Sequence, residues 1–99
     1  MEKLDKNKST YNLTLYVAGN EPNSALAKSI VKEVCESYLT DNFNLKIVDV
    51  IKKFNEAVKN KIMVVPTLLV QSSTINIKVI GSLDSVASLV KVLGLSAKN

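Results

Sequence analysis

Lys61-Ile62-Met63-Val64-Val65-Pro66-Thr67-Leu68-Leu69-Val70 is the stretch on which the fold of this 99-residue chain turns. A proline interrupts a β-branched, apolar run just before residues suited to a strand. Proline has no N–H to give a sheet ladder, so Pro66 belongs at the first residue of a strand, at an edge or at a bulge. The Val65-Pro66 bond is also of the one kind in which the cis form is cheap. Pro66 is therefore assigned to backbone geometry at the entrance of a strand beginning at Thr67. Such an entrance can lie beside the N-terminus of a helix, a position that lowers the pKa of a thiol. Whether this chain keeps thiol chemistry there is the first question to settle.

Upstream, Tyr11-Asn12-Leu13-Thr14-Leu15-Tyr16-Val17 alternates and is rich in strand formers. Tyr11, Leu13, Leu15 and Val17 share one face and Tyr16 the other, which makes one tyrosine a core residue and the other a surface contact. Gly19-Asn20-Glu21-Pro22 breaks the strand and forms the turn that launches a helix, with Asn23 or Ser24 as its cap. The spacing of Leu26, Ala27, Ile30, Val31, Val34, Cys35 and Tyr38 predicts that helix over Ser24 to Leu39. Phe43 to Ile51 reads as a second strand, parallel to the first through a right-handed crossover. Asp49 near its end suits a capping or solvent-facing carboxylate.

Lys52 to Lys61 carries Phe54, Ala57 and Val58 at helical spacing. Downstream of Pro66, Thr67 to Gln71 and Ile75 to Ile80 are strand-like and joined by Ser72-Ser73-Thr74, which suits a hairpin. Gly81 closes that strand and is assigned to backbone geometry. A last helix is expected over Asp84 to Leu93, capped by Asp84 or Ser85 and stopped by Gly94. The order β-α-β-α-β-β-α predicts a mixed four-stranded α/β sheet of the thioredoxin-like kind. Residues 10–95 form its single domain, with flexible tails at 1–9 and 96–99.

The residue types exclude most chemistry for such a fold. The helix start at Gly19 to Ser24 has no cysteine, and Cys35 falls about three turns further on, on the apolar stripe. With no histidine, Ser24 lacks an imidazole base, and one cysteine makes neither an internal disulfide nor a zinc cluster. A single Gly19 is no phosphate cradle, so no catalytic residue, metal or cofactor is expected. The net charge of +4 comes entirely from scattered lysines, which suits an acidic partner better than nucleic acid. No apolar run spans a membrane, and the polar N-terminus does not read as a signal peptide, so the chain is expected to be cytoplasmic. These readings leave a module that works by binding.

Several segments resemble the KaiB family of small clock proteins. Thr10-Tyr11-x-Leu13-x-Leu15-Tyr16-Val17-Ala18-Gly19-Asn20-x-Pro22-Asn23-Ser24 is similar to its opening and is the most specific match. Leu45 to Lys52, Lys61-Ile62-x-x-x-Pro66-Thr67-Leu68 and Val79-Ile80-Gly81-x-Leu83 resemble later segments. The resemblance implies a non-enzymatic protein that binds a hexameric KaiC-like ATPase and modulates its phosphorylation or ATPase state. It also implies a second, resting fold ordered β-α-β-β-α-α-β, and leaves homodimer and homotetramer open. The sensor domain of a clock histidine kinase is a relative, which makes a sensory module regulating such a kinase the alternative; a thiol oxidoreductase or peroxidase ranks third.

Departures from the cyanobacterial pattern qualify the implied role. Val58-Lys59-Asn60 replaces an acidic triplet, Ser73 and Ile75 replace two prolines, and Ile77-Lys78 replaces an arginine pair. A Gly and an Asp of the final segment fall on Val92 and Gly94. These changes suit a non-cyanobacterial homologue acting on a KaiC-like ATPase without KaiA, in stress or growth adaptation. They also favour a strand at Ile75 to Ile80, where four of six residues are β-branched. Lys46, Lys53, Lys59, Lys61 and Lys78 are the expected partner-facing residues.

Overall fold

The computed structural model describes residues 10–95, so the expected tails lie outside the described residues. β1 (Tyr11–Val17) leads into α1 (Pro22–Val34), whose last turn, Cys35–Leu39, winds as a π-helix. Then follow β2 (Phe43–Asp49), α2 (Phe54–Lys59), β3 (Thr67–Gln71), β4 (Asn76–Val79) and α3 (Val86–Leu93). The sheet order is β2-β1-β3-β4, with β1 parallel to β2 and antiparallel to β3, and β3 antiparallel to β4. This is the expected thioredoxin-like βαβαββα arrangement. The strands inferred at Phe43 to Ile51 and Ile75 to Ile80 are shorter than expected, and so is the second helix.

Alternation along β1 separates two cores. Leu13, Leu15 and Val17 meet α1 and α3 through Ala27, Val31, Val34, Leu89 and Leu93, all buried. Leu15 faces Leu68 across the β1–β3 ladder, and both are fully buried. Burying each such side chain stabilises the fold by about 1.5–3 kcal/mol. On the opposite face Tyr16, Val48 and Ala57 form a smaller core under α2, with Ile62, Val65 and Leu69 against it. Both β1 tyrosines are therefore packed: Tyr16 is buried beneath α2 and Tyr11 is half-buried against the larger core, so neither is a free surface contact.

The two later helices end alike. At α3, Ser85 is the cap, accepting from the Ser88 amide at 3.1 Å, and left-handed Gly94 (φ 70°) lets the Leu95 amide reach the Val90 carbonyl at 3.0 Å. At α2 the Ile62 amide reaches the Ala57 carbonyl at 2.9 Å, the same long return bond, yet the left-handed residue is Lys61 (φ 57°). Ser72 ties the hairpin, its hydroxyl accepting from the Thr74 and Ile75 amides.

Candidate functional site

The turn between β1 and α1 carries a carboxylate and a hydroxyl but no thiol. Its cap is Glu21 rather than Asn23 or Ser24, and the helix starts two residues earlier than the spacing predicts. Pro22 occupies the first helical position, where a missing N–H does no harm. The Glu21 carboxylate accepts from the Asn23 amide at 3.1 Å and from the Ser24 amide and hydroxyl, each at 2.9 Å. The Asn23 amide, with the Ser24 hydroxyl next, holds the Glu21 carboxyl below its ordinary pKa. Ser24 is fully buried, and its oxygen also accepts from the Ala18 amide at 3.1 Å. Gly19 is left-handed (φ 55°), and its amide donates to the Asp49 carboxylate, which also accepts from the Ile51 amide. Asp49 is thus a loop clamp.

The Val65–Pro66 peptide is cis and precedes β3. Pro66, Val65, Leu26, Ile80 and Leu83 line an apolar groove of about 430 Å³, with Asn23 and Asp84 at its rim. No thiol faces it. Cys35 is fully buried in the larger core, where burial, with Glu36 adding to it, pushes its pKa up to about 11. Gly81 also lines the groove, but it has no left-handed φ and an added Cβ would meet nothing within 4 Å. Backbone geometry therefore does not explain Gly81. Among the described residues no cluster of His, Cys, Asp or Glu could hold a metal, and no helix is long and apolar enough to cross a membrane.

Lys46, Lys53, Lys59, Lys61 and Lys78 lie on or beside α2. Two of them are engaged within the chain. Lys46 pairs with Glu56 at 3.0 Å, and the Lys78 ammonium donates to the Lys61 and Asn60 carbonyls at 3.3 and 3.5 Å. Lys53, Lys59 and Lys61 are exposed, and Lys52 joins them. Sequence reasoning missed the apolar part of this surface: Met63 is 88% exposed, Ile51 72%, Phe54 66% and Val58 56%. Its signal was the four-residue spacing of Phe54 and Val58, which periodicity alone assigns to a core.

Residues 14–94 match the KaiB domain family. The chain belongs to the KaiB family. It is 46% identical over 61 residues to the circadian clock oscillator protein KaiB of Trichodesmium erythraeum, covering 62% of this chain and 59% of that protein. With KaiB of Nostoc punctiforme the identity is 44% over 63 residues, covering 64% and 61% respectively. The chain thus spans about three fifths of the length of the relatives it matches. Among solved structures, the N-terminal domain of Synechococcus elongatus SasA aligns with a TM-score of 0.68 at 19% identity, covering 85% of this chain and 79% of that one. Malaria-parasite thioredoxin-2 aligns at 0.72 and 16% identity, covering 88% and 84%. These two likenesses show a shared thioredoxin-like fold.

Proposed function

We propose that this KaiB-family chain is a non-enzymatic regulator that docks on a hexameric KaiC-like ATPase and modulates its phosphorylation or ATPase state, in clock-like or stress-adaptation signalling. The observation that carries this reading is the helix start beside Pro66. A thiol relative would place its nucleophile there, and this chain places a carboxylate cap, a proline and a buried, fully engaged serine. The remaining thiol is buried and held protonated at neutral pH, so exchange chemistry has no nucleophile. Family membership supplies the partner class, and the basic α2 surface supplies a place for it. Lys53, Lys59 and Lys61 are its partner-facing lysines, and the molecule acts from the cytoplasm.

A sensory module regulating a histidine kinase is the second reading; it draws on the SasA fold likeness at 19% identity. Size-exclusion chromatography with light scattering, using a purified KaiC-like hexamer with ATP, tests the first. Co-elution and a changed phosphorylation level of the ring are the expected result. Failure to bind the ring, or reduction of insulin disulfides by the isolated chain, sinks the proposal.

A further inference from the structure

Around α2 the described residues leave apolar surface uncovered. Among the described residues, five of the nine exposed large apolar side chains, Ile51, Phe54, Val58, Met63 and Val64, fall within this short segment. Phe54, Val58, Ile62, Met63 and Val64 line a groove of about 170 Å³. That is below the roughly 300–1,000 Å³ of small-molecule sites, so the groove fits single side chains of a larger partner. Its neighbours are basic. Lys52, Lys53, Lys59 and Lys61 are exposed and, among the described residues, unpaired. The nearby carboxylates are already engaged, Glu56 by Lys46 and Asp49 by the Gly19 and Ile51 amides.

We propose that this surface seats an acidic amphipathic helix of the partner. Its large apolar side chains enter the groove between α2 and the segment at 62–65, and its carboxylates face Lys52, Lys53, Lys59 and Lys61. A helix fits better than an added strand because none of the groove-lining residues belongs to a strand, so no open backbone ladder is offered there. Met63, unbranched and almost fully exposed, can adapt to the side chain it receives. The proposal rests on the docking reading above and adds where the partner sits and what its contact element is.

The first test titrates the isotope-labelled chain with a synthetic amphipathic peptide carrying Leu and Glu at helical spacing. A control peptide has every Glu replaced by Lys. Amide shift changes are expected at 50–65, with the acidic peptide alone, and weakening by about tenfold in Phe54→Ser. Phe54 is exposed, so that variant is expected to fold, and circular dichroism checks it. Equal binding of the control, shift changes centred on the groove beside Pro66, or no binding overturns the proposal. The second test offers a KaiC-like hexamer to the parent chain and to Phe54→Ser/Met63→Ser. A ring that binds both equally overturns the surface and leaves the docking reading standing. A ring that ignores the parent chain, while the acidic peptide still binds at α2, overturns the docking reading and supports the surface.

Discussion

The Glu21 carboxylate accepts from two amides and a hydroxyl at the start of α1, and all three bonds favour its ionised form. Its folded pKa lies below the ordinary 4.5, so its stabilisation is fully present above that value and is lost as pH falls through the lower folded value. The melting-temperature gap between the parent chain and Glu21→Gln should therefore be widest at neutral pH and close in acid below 4.5. A gap that does not change with pH would show that the carboxylate's charge is irrelevant. Lys61 presents the opposite case, a residue whose backbone is strained by its position. It ends α2 at φ 57°, where a side chain is disfavoured and glycine is not, as Gly94 shows at the end of α3. Lys61→Gly is expected to raise unfolding stability by about 1 kcal/mol in urea titrations, at unchanged m-value. Loss of stability instead would mean that the lysine side chain contributes more than its backbone strain removes.

Helix α2 is only six residues long, and one of them, Ala57, is buried. An isolated helix of this length is not stable in water, so α2 depends on what it packs against. Beneath it lie Tyr16 and Val48; at its C-terminus Lys78, on β4, donates to the Asn60 and Lys61 carbonyls. A cation there also complements the helix dipole, worth about 0.3–1 kcal/mol at an exposed site. Lys78 thus acts on the docking surface through the position of α2. Lys78→Met should speed amide exchange at 54–62 and weaken partner binding while leaving the salt dependence of that binding unchanged. Lys59→Met should leave exchange unchanged and flatten the salt dependence. A flattened salt dependence in Lys78→Met would make Lys78 a direct contact. This division between Lys78 and Lys59 was not legible in the sequence, which shows lysines but not the carbonyls they reach. β1, β4 and both long helices were legible because period-two patterns run through the two strands and period-3.6 patterns through α1 and α3. Ser85 as a start and Gly94 as a stop of α3 were readable from residue type at the helix ends. Glu21 was not, since Asn23 and Ser24 are better caps by type, and Pro22 at the first helical position shifts the start upstream. Nor was the exposure of Phe54 and Val58, because spacing identifies a helix face and not whether anything covers it.

Across the whole molecule, the family resemblance implies two competing folds, and β4 is where this chain's residues weigh most on the choice. In the β-α-β-β-α-α-β alternative the segment at 75–80 would have to be largely helical. Here Asn76–Val79 pairs with β3 through Leu68↔Val79, Leu69↔Lys78 and Val70↔Ile77. Val79 is buried, and Ile75 and Ile77 pack on the larger core. Four β-branched side chains in six residues disfavour helix and favour strand by a summed ~1–3 kcal/mol. Ser73 and Ile75 also leave the hairpin free of proline, so no missing N–H interrupts its pairing. Folds separated by only a few kcal/mol are tipped by terms of that size. The free chain in solution is therefore expected to show extended Cα and Cβ chemical shifts at 75–80, with amide protection along the β3–β4 ladder. Reintroducing proline as Ser73→Pro/Ile75→Pro should lower that protection and raise any second set of signals. Helical shifts at 75–80 in the parent chain would show that the propensity of this segment is overruled by contacts elsewhere, and that the surface around α2 forms only once a partner selects it.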